Sequence, residues 1–140
     1  MTRKKIFAIF KQDSMKKIIQ TDNAPRAIGP YSQGVEHKGM LFISGQIPID
    51  PVSGKVIEGG ISNQTDQVLK NLQAVLKAAG YSLENVVKTT CLLSDMNNFQ
   101  AMNDVYAKYF PDSPPARAAY QVCRLPLGVD IEIEAIAVKE

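Results

Sequence analysis

The chain has 140 residues, 45% of them apolar, which is enough for one compact core and too few for two ordinary domains. Its formal charge of +2 hides a division, because the residues through Lys17 hold six Lys/Arg against one Asp, leaving ten basic and thirteen acidic residues and a body near −3. Nucleic acid as a main partner is argued against, since its binders carry a basic stripe on the folded part, and the nine Gly and eight Pro are scattered rather than gathered into a low-complexity tract.

Residues 1–14 begin with a basic Arg3-Lys4-Lys5, but the apolar run behind it, Ile6 to Phe10, is too short for a signal-peptide core. They are expected to form a disordered extension, with Met15 as an alternative start of a domain over 15–140. No stretch approaches the ~18 apolar residues that span a bilayer, so the reading is a cytoplasmic protein without a membrane partner. A short strand over 17–20 leads to the breaks Asn23-Ala24-Pro25 and Gly29-Pro30. Strands over 32–36 and 40–45, joined across Lys38-Gly39, make a hairpin.

After a turn at 50–54 and a break at Gly59-Gly60, the spacing of Val68, Leu69, Leu72, Val75, Leu76 and Ala79 predicts an amphipathic helix over 62–79 capped by Gly80. A strand over 86–93 is apolar on both faces. Asp95 can cap a second helix, whose stripe is Phe99, Met102, Tyr106, Tyr109 and Phe110 and whose end is Pro111. Strands over 116–124 and 129–138 follow, the last alternating Ile131, Ile133, Ala135 and Ala137 against Glu132, Glu134, Ile136 and Val138. Two helices among about six strands give an α+β domain with both helices on one sheet face. The other face needs a cover, most simply a second copy of the chain.

Cys91 and Cys123 fit neither a disulfide framework nor a metal knuckle, and both fall in strand-like stretches that suit a buried thiol. With His37 as the single histidine, no Cys/His metal cluster and no Ser-His-Asp arrangement can be assembled.

The stretches N-A-P-R-A-I-G-P-Y-S-Q-G-V (23–35), L-F-I-S-G-Q-I-P-I-D-P-V-S-G-K (41–55), V-K-T-T (87–90) and P-A-R-A-A-Y-Q-V-C-R-L-P-L-G-V-D-I-E-I-E-A-I-A-V (115–138) resemble the Rid/YjgF family across 17–138. The resemblance implies a chorismate-mutase-like α+β protomer with a six-stranded mixed sheet. It further implies a homotrimer with an active site in each cleft between subunits, and a cofactor-free, metal-free hydrolysis of 2-iminobutanoate and 2-iminopropanoate to keto acids and ammonia.

Arg117 follows the stiff Pro114-Pro115-Ala116 and opens a strand, so its planar guanidinium can be held to take a carboxylate through two donors. Glu132 matches a family glutamate that orients the attacking water and moves a proton to the departing ammonia. Glu134 has no such match and is read as structural. Tyr31, Ser44 and Asn103 correspond to family pocket residues, and Gly45 allows close backbone approach. Many relatives have cysteine where this chain has Ala119, so a thiol role there is excluded, while the backbone carbonyl remains able to hold the water. A binding module that senses keto or amino acids in the same cleft is the rival reading. Glu132 discriminates, because a pure binder has little reason to place a second carboxylate beside an anion.

Overall fold

A computed structural model of the chain describes residues 15–140. The expected extension over 1–14 lies outside the described residues. In chain order the elements are β1 (Lys17–Ile19), β2 (Gly34–His37), β3 (Met40–Gln46), α1 (Ile61–Ala78), β4 (Val86–Leu93), α2 (Phe99–Tyr109), β5 (Ala116–Gln121) and β6 (Ile131–Val138), with single 3₁₀ turns at 83–85, 96–98 and 126–128. One sheet runs β1-β2-β3-β6-β4-β5, antiparallel except for the parallel β4–β5 pair at its edge.

Local chemistry explains most of these boundaries. Lys38 and Gly39 both take positive φ, 48° and 75°, which is the primed turn whose twist suits a two-residue hairpin. Helix α1 buries Val68, Leu69, Leu72, Val75 and Leu76 completely, and closes on Ala79 before Gly80. Asp95 caps the 3₁₀ turn at 96–98 rather than α2 itself, accepting from the Asn97 amide at 2.8 Å, and the chain then runs straight into α2.

The strand expected over 116–124 ends earlier, at Gln121. Its ladder ends with the Val122 amide on the Leu93 carbonyl at 2.9 Å, and the chain then turns through Leu125-Pro126. Cys123 is therefore exposed beyond the strand instead of buried in it, whereas Cys91 is fully buried and its thiol is pushed up to about 11 by that burial. The last strand likewise starts at Ile131 rather than 129.

Cross-strand partners share a face and neighbours along a strand alternate, so the register fixes both faces of the sheet. Leu41, Ile43, Cys91, Leu93, Ile131, Ile133, Ala135 and Ala137 point at the helices and form the core with α1 and α2. The opposite face carries Met40, Phe42, Leu92, Glu132, Glu134, Ile136 and Val138, and nothing among the described residues covers it. Met40, Phe42 and Val138 are 39%, 44% and 40% exposed, as the need for a cover required.

Candidate active site

Arg117 stands second in β5, opposite Thr89 of β4, and so faces the helix side of the sheet. There α2 receives it. Asn103 Oδ1 accepts from Arg117 Nη1 at 2.8 Å, and the guanidinium carbon lies 4.8 Å from the Tyr106 ring centroid and 5.4 Å from that of Phe99. Tyr106 is itself fixed, its hydroxyl sharing a 2.7 Å hydrogen bond with buried Thr89. Among the described residues only Arg26–Asp22 and Lys70–Asp66 form ion pairs, so this partly buried cation has no carboxylate partner there. A held, uncompensated guanidinium is an anion site with two-donor geometry. Ala119 follows two residues later on the same face, opposite Cys91, and packs against the core with a side chain that offers no chemistry.

Glu132 lies on the other face. It pairs with Leu92, while Thr89, the partner of Arg117, pairs with Ala135, three residues along β6 and hence on the opposite side. Burial and then the neighbouring Glu134 raise the Glu132 carboxyl above the ordinary carboxylate range. Its niche is shaped by Gly45, where a Cβ would meet the Glu132 carboxylate and oblige that side chain to move. Ser44 begins the register shift that separates Ile43 from Gln46, its Oγ donating to the Ser32 carbonyl at 2.5 Å and its amide to the Gln33 carbonyl at 3.0 Å. The start of β6 is pinned two residues before Glu132. Asp130 accepts from Ser94 Oγ at 2.9 Å and from Gln64 Nε2 at 3.3 Å, and its amide donates to Gln64 Oε1 at 2.8 Å.

Tyr31 is exposed, with its hydroxyl accepting weakly from the Ile28 amide at 3.3 Å, and it lines a cavity of about 510 Å³ with Ser32, Gln33, Arg26 and β1. Buried Gln33 ties that loop down, donating to the Thr21, Ala24 and Pro25 carbonyls and accepting from the Thr21 amide. One chain therefore brings together Arg117, Asn103 and Ala119 on one side, and Glu132, Gly45 and Ser44 on the other. It does not bring the two groups to one another. Sequence reasoning had assigned Phe99 and Tyr106 to the apolar stripe of α2. The available signal was their spacing with Asn103, four and three residues apart on one helix face.

A family model described as Endoribonuclease L-PSP, that of the Rid/YjgF proteins, matches residues 21–139. The chain belongs to the Rid/YjgF family. It is 59% identical to the RutC family protein PH0854 of Pyrococcus horikoshii over 90% of this chain and 100% of that protein. It is 54% identical to the 2-iminobutanoate/2-iminopropanoate deaminase of Mus musculus, over 89% of this chain and 93% of the mouse protein. The crystal structure of E. coli TdcF with bound serine superposes with a TM-score of 0.85 at 44% identity, covering 89% of this chain and 99% of that one. As a Rid protein the chain shares the six-stranded mixed sheet and two helices expected from its motifs, and no described helix is long and apolar enough to cross a membrane.

Proposed function

We propose that this Rid protein hydrolyses 2-imino acids such as 2-iminobutanoate and 2-iminopropanoate to 2-keto acids and ammonia, in clefts completed between the subunits of a cytoplasmic homotrimer. The observation that carries the reading is Arg117, a partly buried cation held by Asn103 and two rings with no carboxylate of its own chain upon it. A planar 2-imino acid offers the carboxylate that such a fork fits. Anchoring it fixes the C=N carbon, and holding a water in line with that carbon can contribute about 7–11 kcal/mol in favourable cases. Glu132 of a neighbouring subunit accepts a proton from the water and returns it to the leaving nitrogen, a role suited to its raised pKa. Water and imine enter, and keto acid and ammonia leave, so no cofactor is consumed.

The mouse relative's name supports the reaction, and the bare apolar sheet face supports an assembly. The separation of Arg117 from Glu132 supports a shared site, since two chains can supply what one cannot. Serine bound to TdcF favours a second reading, a sensor of amino or keto acids in the same cleft. To decide between them, a pyridoxal-phosphate dehydratase acting on threonine would supply the imine while semicarbazide competes for it. Faster keto-acid release with the protein present is expected, and an unchanged rate would leave the sensor as the better account.

A further inference from the structure

The anchor has to be fixed without losing its charge, and the way α2 achieves this goes beyond the proposed reaction while resting on the role given to Arg117. Phe99, Asn103 and Tyr106 lie on one face of α2 and meet the guanidinium together: Asn103 Oδ1 takes one N–H at 2.8 Å, and the rings stand 5.4 and 4.8 Å from its central carbon. Arg on an edge strand would ordinarily sample many rotamers, and the usual means of holding one is a carboxylate, which would also cancel the charge an anionic ligand needs. Here every partner is uncharged. The rings attract the cation through their quadrupoles without neutralising it. Tyr106 is in turn locked by its 2.7 Å hydroxyl pair with Thr89, the residue directly across from Arg117 in the sheet, and by tilted packing at 4.8 Å on Phe110.

We propose that Phe99, Asn103 and Tyr106 are positioning residues that form a neutral seat for Arg117, fixing its geometry while leaving its full charge for the ligand carboxylate. The test measures binding of 2-oxobutanoate, and the steady-state constants for imine hydrolysis, in the full-length assembled protein. Arg117→Ala should lose 2-oxobutanoate binding; if binding persists, the anchor role itself is wrong, whatever holds the side chain. With the anchor verified, Phe99→Leu should weaken binding by about three- to tenfold and raise KM by the same factor with kcat nearly unchanged, the pattern of a lost ground-state contact. Phe99 is only partly buried, so this variant avoids the folding risk of truncating Tyr106. Tyr106→Phe keeps the ring over the guanidinium but loses the hydroxyl pair with Thr89, so it should weaken binding, though less than Phe99→Leu. Asn103→Asp keeps the shape but supplies a carboxylate, so affinity should fall at least about tenfold although the guanidinium is held as firmly and the melting temperature does not drop. The seat is overturned if Phe99→Leu and Asn103→Asp bind 2-oxobutanoate like the parent protein, or if Tyr106→Phe is as damaging as Phe99→Leu.

Discussion

The two faces of the sheet treat their functional charges in opposite ways. On the helix side Arg117 is finished within its own chain, with a hydrogen bond from its guanidinium to Asn103, two rings against it and Thr89 bracing one of them. On the bare side Glu132 is crowded by Gly45 and lifted in pKa by burial and by Glu134, yet no hydrogen-bond partner for its carboxylate exists among the described residues. The cation is held by partners of its own chain, and the acid is not.

The largest effect should come from making the bare face permanently wet. Phe42→Glu combined with Ile136→Glu, a cross-strand pair on that face, should leave the helix-side core and the circular dichroism spectrum intact. The assembly should fall from about three chain masses to one by light scattering, with activity reduced to background. A trimer that survives these changes would place the interface elsewhere.

Next in size are the two charges taken singly. Arg117→Ala and Glu132→Gln should each lower kcat/KM by roughly 10²–10⁴-fold, and co-folding the two variants sharpens the comparison. Random threefold mixing makes about three quarters of trimers heterogeneous, each with one intact site in three, so about a quarter of normal activity should return. No recovery would mean that one chain supplies both groups, contrary to their placement on opposite faces.

A smaller effect is expected from pH. In the proposed reaction Glu132 acts as a carboxylate, so kcat/KM should fall as pH drops through its raised pKa, and Glu134→Gln, by removing the second cause of that rise, should move the inflection to lower pH. An inflection that stays in place would remove Glu132 from the proton transfer.

Stability should show the smallest change. Because the folded chain holds the Glu132 proton more tightly than the unfolded chain, the favourable contribution present at low pH is lost as pH rises from the ordinary carboxylate value through the raised one. At neutral pH Glu132→Gln should therefore raise the melting temperature by roughly a degree or two, even as activity falls. A lower melting temperature would show that the charge is stabilised in the assembly.

Much of the site was readable because it sits on strongly patterned elements. The hairpin across Lys38-Gly39, the α1 stripe and the alternation in β6 each follow from local chemistry, whereas Gly45 meets Glu132 only through the pairing of β3 with β6. Asn103 and Arg117 were identified from the family motifs, and the structure joins them by a 2.8 Å hydrogen bond. Phe99 and Tyr106 were not recognised as partners of Arg117, because an aromatic in an apolar stripe looks the same whether it faces another apolar group or a guanidinium. Cys123 was misplaced because the strand was expected to run on to Arg124, whereas its pairing with β4 stops at Gln121.

By itself the sequence determined the elements, the helix-covered core and the demand for a partner surface, since these depend on periodicities of 3.6 and 2 residues and on turn chemistry that act over a few positions. The family motifs added the list of candidate site residues. Only the tertiary structure decided that those residues divide between the two sides of the sheet. Which face a strand residue takes depends on the register it keeps with strands far away in the chain, here β5 on β4 and β4 on β6, and a shift of one residue in either pairing would have brought Arg117 and Glu132 to the same side.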